Sequence, residues 1–123
     1  MNHAPLRFLV LGGDHSILYP VIRAVSEKLE GPVDILHFDG HTDLYENFKD
    51  NYYSHASPFA RIMEGKYVNR LVGIRSISAE GRAQGQKYEV EIHEMRNFAK
   101  ERDYLENLIS FSLLYHFYYD LFF

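Results

Sequence analysis

Aspartate and histidine side chains occur in two short clusters near the start of the chain. The stretch HFDGHTDLY contains Asp39, His41 and Asp43 at intervals of two residues. The stretch LGGDHS contains Asp14 and His15 after two glycines. Mixed carboxylate and imidazole ligands suit a hard or borderline divalent cation. These residue types predict a metal site; the alternative is that the aspartates are ordinary turn residues and the histidines lie on the surface.

The Asp-x-His-x-Asp cluster can bind an ion only if the chain curls there. In an extended strand, Asp39 and Asp43 would lie about 13 Å apart, whereas ligand atoms lie about 2.0–2.2 Å from an ion. In a helix, residues two apart face different sides. We therefore expect a turn after the preceding strand, and Gly40 is expected to help it.

The elements that must position these clusters alternate between strand and helix. Apolar runs predict strands, and apolar residues at helical spacing predict helices. The strands are expected at 6–11, 33–38, 71–74 and 90–92, and the helices at 17–30, 57–64, 78–87 and 97–108. Ser16, Ser57 and Ser78 are expected to begin the first three helices, Ser16 and Ser57 as N-caps. This alternation predicts an α/β fold with a mainly parallel sheet and helices on both faces.

Both clusters follow predicted strands. Ligands in open α/β sheets bind beyond the carboxyl ends of the strands, so His15 is expected to share one rim with Asp39, His41 and Asp43. Such a ligand set can bracket two ions about 3.5–4 Å apart, bridged by one carboxylate, which lower the pKa of a shared water molecule.

Composition narrows the class of protein. The 123 residues suit one domain, and the net charge of -4 disfavours nucleic acid or an anionic membrane as partner. The absence of cysteine excludes disulfides and thiolate metal sites and favours an intracellular protein. We find no secretory signal pattern and no apolar run of about 18 residues that would span a membrane.

The last fifteen residues, ISFSLLYHFYYDLFF, differ from the rest. They contain seven of the chain's 19 aromatic residues and one of its 30 charged residues, without a clear helical or alternating period. We expect residues 1–108 to form a partial α/β domain. Residues 109–123 are expected to be a tail outside its native packing; the alternative is a final buried strand or helix.

Longer stretches of the sequence resemble the ureohydrolases, the arginase and agmatinase superfamily. The motifs are LGGDHS, DGHTD and YSHASPFARIMEG, and the likeness to plant arginases continues through VGIRSI, EGR and EMRNF. The resemblance implies a three-layer α/β/α fold, two Mn²⁺ ions and hydrolysis of L-arginine to L-ornithine and urea. Agmatine, which gives putrescine and urea, is the alternative substrate.

The resemblance also implies roles for single residues. His15, Asp39 and Asp43 match ligands of one manganese ion; Asp39 bridges to a second ion, which His41 holds. His55 in YSHAS matches a histidine that transfers a proton near the substrate.

Other assignments follow from the same loop and its surroundings. Tyr45 and Asn51 lie where the family contacts the far end of its substrate. His37 is interpreted as a packed core histidine, and His93 and His116 match no motif.

The resemblance also implies features that this chain does not match. These are two further aspartates from an Asp-Val-Asp segment and a late acidic residue. We therefore expect a chain truncated at both ends with little or no turnover, and an inactive fragment or interaction module is the rival function. A different binuclear metallohydrolase is a third reading. The resemblance also implies a homo-oligomer, since family members are homo-oligomers. The likeness to plant arginases suggests a mitochondrial location.

Overall fold

Four parallel strands form one sheet in the computed structural model of the chain, which describes residues 9–11, 13–75, 78–114 and 117–121. The strands are β1 (Val33–Phe38), β2 (Val68–Arg75), β3 (Glu91–Glu94) and β4 (Phe117–Leu121), in the spatial order β3-β2-β1-β4. Every pairing is parallel, so the carboxyl ends of the strands meet at one rim. The predicted α/β class with a parallel sheet is confirmed.

Four helices accompany the strands. They are α1 (Leu18–Lys28), α2 (Pro58–Glu64), α3 (Ala79–Lys87) and α4 (Phe98–Leu114). Ser78 caps α3, because its side chain accepts a hydrogen bond from the Gly81 N–H. The predicted Ser16 cap is wrong: Asp14 accepts a hydrogen bond from the Ser16 N–H and begins a 3-10 turn at His15–Ile17. Within the described residues, no helix is long and apolar enough to cross a membrane.

Helices cover both faces of the sheet. The alternation of β1 directs Val33 and Ile35 into a core with α1 and α2, and Leu36 into a smaller core with α4. The pairing of β1 with β2 has a register shift between Val33 and Asp34, where β2 contains one extra residue. Val68 is opposite Val33, and Leu71 is opposite Ile35. Both Val68 and Leu71 therefore belong to the larger core.

The strand predicted at 6–11 is not formed at residues 9–11. Residues 6–8 lie outside the described residues, and residues 9–11 are not in a strand. Leu9 and Leu11 are more than 80% exposed. In the described sheet, β2 and β4 occupy the two edges of β1.

Regular elements extend into the aromatic end of the sequence. Helix α4 continues to Leu114, and β4 pairs with β1 over residues 117–121. The pairing places β4 at an edge of the sheet. The division into a domain at 1–108 and a separable tail at 109–123 stays a prediction.

Candidate metal centre at the carboxyl end of strand β1

The core of the site is a buried contact between His15 and Asp43. The Nδ1 atom of His15 lies 2.5 Å from an Oδ2 atom of Asp43, and both side chains are at most 10% exposed. His15 comes from the 3-10 turn before α1, and Asp43 comes from the loop after β1. Two of the predicted ligands, 28 residues apart in sequence, are therefore neighbours in space.

A left-handed backbone conformation at Asp43 turns the loop. Its φ angle is 51°, which is uncommon outside glycine but tolerated by aspartate. The Asp43 carbonyl accepts a hydrogen bond of 3.1 Å from the Phe59 N–H at the start of α2. Gly40 was expected to supply the turn, but no glycine in the described residues has a positive φ. There is open space where a Cβ of Gly40 would lie, so that position does not require glycine.

Asp39 follows β1 directly and forms the second part of the site. Its Oδ1 accepts a hydrogen bond of 2.9 Å from the His41 N–H, and its Oδ2 lies 3.5 Å from Nε2 of His37. Burial opposes ionisation, but His37 and the His41 N–H more than compensate and lower the pKa of Asp39 to about 2. The carboxylate is therefore charged at neutral pH although it is buried.

His37 connects the two parts. Its imidazole, His15 and Asp43 form a group whose ligand atoms all lie within 4.8 Å of one another. The prediction that His37 is a packed core histidine describes one part of its environment, because its ring packs on Phe59 at 4.4 Å between centroids. The other part is its position beside the ligand atoms of His15 and Asp43. Strand alternation was the available signal, since it places His37 on the same face as Ile35 and in line with Asp39.

His41 occupies a different environment from the other predicted ligands. Its side chain is 84% exposed, and its Nδ1 lies 3.3 Å from Oδ1 of Asp39. The structure therefore brings His15 to Asp43 and His41 to Asp39, with His37 between the two pairs. His41 lies at the solvent side of the cluster.

The arrangement suits a cation. Two buried carboxylates and two buried imidazoles provide oxygen and nitrogen donors of the kind that divalent metals accept. Oδ2 of Asp39 is buried, and its contact with Nε2 of His37, at 3.5 Å, does not have the geometry of a hydrogen bond. A buried anionic oxygen in that state is stabilised when a cation binds beside it. The residues present therefore fit a divalent metal ion.

His55 lies in the loop that precedes α2 and is exposed. The edge of its ring contacts Phe48, with 5.5 Å between centroids. The charge of His55 also contributes to the field at Asp14, whose pKa is lowered chiefly by hydrogen bonds from Ser16.

Tyr45 and Asn51, the predicted substrate residues, already make protein contacts. The Tyr45 hydroxyl donates to Glu80 of α3 at 3.0 Å, which raises the pKa of Tyr45. The Asn51 side chain accepts a hydrogen bond from the Tyr53 N–H at 3.0 Å. Helix α3 thereby holds the loop beside the site, and a ligand that used these two polar groups would have to exchange those bonds.

Comparisons with known proteins find relatives along most of the chain. A sequence model of the arginase family matches residues 2–112. "Arginase 2, chloroplastic/mitochondrial" of Arabidopsis thaliana is 67% identical over 110 residues, which are 88% of this chain and 32% of that protein. The solved structure of arginase from Medicago truncatula superposes with a TM-score of 0.76 at 66% identity, covering 83% of this chain and 33% of that one.

A more distant relative has another substrate in its name. The N(1)-aminopropylagmatine ureohydrolase of Thermus thermophilus is 42% identical over 72 residues, which are 58% of this chain and 24% of that protein. The chain spans about a third of the length of the plant relatives that it matches. Because the family model matches nearly the whole chain, including the stretches that form the buried His–Asp cluster, the chain belongs to the arginase family.

Proposed function

We propose that this chain binds Mn²⁺ at the rim of the sheet and acts in the hydrolysis of L-arginine to L-ornithine and urea. The buried cluster of His15, His37, Asp39 and Asp43 is the observation that carries the proposal. High identity to proteins named arginase supports the reaction. In the family resemblance, two ions are held by His15, Asp39, His41 and Asp43.

The burial or exposure of each side chain supports a different role in the proposed site. A pair of Mn²⁺ ions would supply the Lewis acidity that makes water a nucleophile near neutral pH. Asp39 and Asp43 supply negative charge in a buried setting, which favours a cation over a neutral ligand. The exposed His41 completes the ligand set from the solvent side.

His55 is our candidate for proton transfer. The amine that leaves the guanidinium carbon needs a proton, and imidazole groups exchange protons near neutral pH. The exposed position of His55 gives it access to solvent, and the Phe48 ring restricts how its imidazole can lie. These features suit a side chain that moves a proton between solvent and a bound substrate.

Tyr45 and Asn51 are our candidates for the far end of the substrate. Both lie in the loop that also carries Asp43, so a substrate that reached from the metal ions would pass along it. Agmatine, which lacks the carboxylate of arginine, is the second candidate substrate, favoured by the relative named for an aminopropylagmatine. Competition between arginine and agmatine for binding to the Mn²⁺-loaded chain would show which of the two it prefers.

Titration with Mn²⁺ tests the metal site directly. The signal of free Mn²⁺ in electron paramagnetic resonance should fall as protein is added, because bound Mn²⁺ has a broadened spectrum. Asp39→Asn and Asp43→Asn should weaken binding by about tenfold or more, since each removes a charged ligand. Asp34→Asn is the matched control, because Asp34 lies on β1, the strand that leads to both aspartates, and its carboxylate contacts Asn69 instead.

The outcomes separate the alternatives. Binding that weakens in the two ligand variants and not in the control supports the site. Equal binding by all four proteins would overturn it. His37→Gln extends the test: weaker binding than in the control would add His37 to the residues that hold the metal, since its ligand atom lies among those of His15 and Asp43.

Turnover, assembly and location complete the proposal. We expect little or no arginase turnover from this chain by itself, because two further aspartates implied by the resemblance are not matched in its sequence. Urea release at about 1–10³ per second, the range typical of enzymes, would contradict that expectation. From the family resemblance we also propose a homo-oligomeric state. The names of the plant relatives support a proposed mitochondrial or chloroplastic location.

A further inference from the structure

A tight hairpin at residues 46–52 lies between the predicted metal ligands and His55. Phe48 and Asn51 exchange two backbone hydrogen bonds, of 3.3 and 3.0 Å, and so enclose a two-residue turn. The turn residues Lys49 and Asp50 have φ angles of 50° and 58°. Turns of this shape favour Asn-Gly or Asp-Gly, because residues other than glycine, asparagine and aspartate are disfavoured at positive φ, and the sequence Lys-Asp lacks the glycine. The hairpin therefore needs support from elsewhere.

Arg61 of α2 supplies contacts at the base of this hairpin. One guanidinium nitrogen, Nη1, donates to the carbonyl of Glu46 at 2.7 Å and to the carbonyl of Tyr52 at 2.8 Å. These carbonyls belong to opposite arms. The Arg61 side chain is 2% exposed, so both bonds form away from water. A single buried cation thus holds the two arms together.

A second set of contacts fixes Arg61 itself. Its guanidinium carbon lies 3.4 Å from the centre of the Tyr52 ring, and its Nη2 donates to Glu64 at 2.9 Å. The Tyr52 hydroxyl donates to the other oxygen of Glu64 at 2.7 Å. The three side chains form a closed arrangement in which Arg61 has one orientation. Lysine cannot reproduce it, because its ammonium lacks the planar fork.

The hairpin carries the ring that packs beside the proposed proton-transfer residue. Phe48 contacts His55 at 5.5 Å and Tyr45 at 5.4 Å between ring centroids. If the arms separate, Phe48 moves and the imidazole of His55 gains freedom. We infer that Arg61 is a positioning residue: it holds the 46–52 hairpin closed so that Phe48 orients His55. The importance of that orientation for the reaction rests on the proposed function.

Amide hydrogen exchange and NMR test this inference in the whole chain without metal. In Arg61→Lys, exchange at the Phe48 and Asn51 amides should rise about tenfold or more, the factor expected when bonds to a charged donor are lost. The nuclear Overhauser effect between the Phe48 and His55 rings should disappear. Exchange at Leu36 in β1 should not change. Arg23→Lys on the exposed face of α1 is the matched control.

A rescue separates positioning from general stability. Adding Lys49→Asn and Asp50→Gly to Arg61→Lys provides the sequence that the turn prefers, and it should restore slow exchange and the Phe48–His55 contact. Both turn residues are exposed, so the pair of changes leaves the core untouched. Unchanged exchange in Arg61→Lys, an equal rise at Leu36, or a failed rescue would each overturn the inference.

A second variant covers the case in which Arg61→Lys does not fold. Tyr52→Leu removes the ring and hydroxyl that fix Arg61, at a side chain that is 46% exposed. It should raise exchange at the same two amides, and no rise would count against the inference. These measurements need no metal, so they are independent of the manganese titration. A negative result in either experiment does not decide the other.

Discussion

The two faces of the sheet achieve their packing by different means. Under α1 and α2, nine buried apolar side chains form one cluster, whereas α4 covers a cluster of four within the described part of the chain. The proposed metal ligands rest on the larger cluster, where Phe59 contacts the rings of His37 and His15. Dense packing resists displacement, so this face provides a rigid base for the proposed ligands.

The smaller face relies more on charge. Glu91 of β3 accepts hydrogen bonds from Arg70 of β2 at 2.6 and 2.9 Å and from Tyr104 of α4 at 2.6 Å. His93 lies between Glu91 and Glu101, at 2.9 and 2.7 Å. This network connects two strands to α4, and it is partly open to solvent. The comparison indicates that apolar packing holds the site face and that a polar network helps to hold the other.

The largest expected effect comes from the site face. Phe59→Ala should lower the free energy of unfolding by about 3–5 kcal/mol, because a fully buried ring leaves a cavity beneath His37. Leu105→Ala, under α4, should cost about 2–3 kcal/mol. Urea denaturation followed by circular dichroism measures both. A larger loss for Leu105→Ala would reverse the comparison.

An intermediate effect is expected in the polar network. Glu91→Gln should lower stability at pH 7 by about 1 kcal/mol, since the charged partner of Arg70 is lost at a partly exposed site. The measurement is again urea denaturation, with Glu106→Gln as a control, because that exposed residue pairs with its helical neighbour Arg102. Equal losses in both variants would show that the Glu91 network has no special role.

The same network predicts a dependence on pH. Burial opposes ionisation of Glu91, but the bonds from Tyr104, His93 and Arg70 outweigh it and lower the pKa of Glu91 from its ordinary 4.5 to about 2. Its contribution is therefore complete above pH 4.5 and is lost as the pH falls from 4.5 to about 2. Glu91→Gln should remove that part of the acid dependence. A variant with an unchanged acid profile would contradict the assignment.

The smallest effect is expected at the end of the chain. If residues 109–123 are separable as proposed, removing 115–123 should change the free energy of unfolding by less than about 1 kcal/mol and should improve solubility, because a tail rich in aromatic residues outside the native packing would favour association. Cooperativity of unfolding should persist. A loss of several kcal/mol, on the scale of core truncations, would show that the pairing of β4 with β1 is an integral part of the sheet.

Residues close in sequence were the most predictable. The strand at 33–38 and the helix at 78–87 follow from local pattern; the strand is found at those residues, and the helix is found at Ala79–Lys87. The positions of helix ends were less certain: Glu30 and Lys66, rather than the neighbouring glycines, take the left-handed conformation after α1 and α2. Which residue takes the left-handed conformation depends on the direction in which the chain must leave the helix to enter the next strand. The local sequence does not contain that information.

The sequence by itself determined the family, the alternation of elements from α1 to α4 and the residue types of the candidate metal site, since periodicity and motif are local properties of the chain. Tertiary structure decided which side chains meet. The contact of His15 with Asp43 spans 28 residues, and His37 joins them because strand alternation and the packing of α2 bring its ring to the same rim. It also decided that β4 occupies the free edge of β1. Competition between segments for one strand edge is settled only when the whole sheet assembles, because hydrogen bonding there depends on partners distant in sequence.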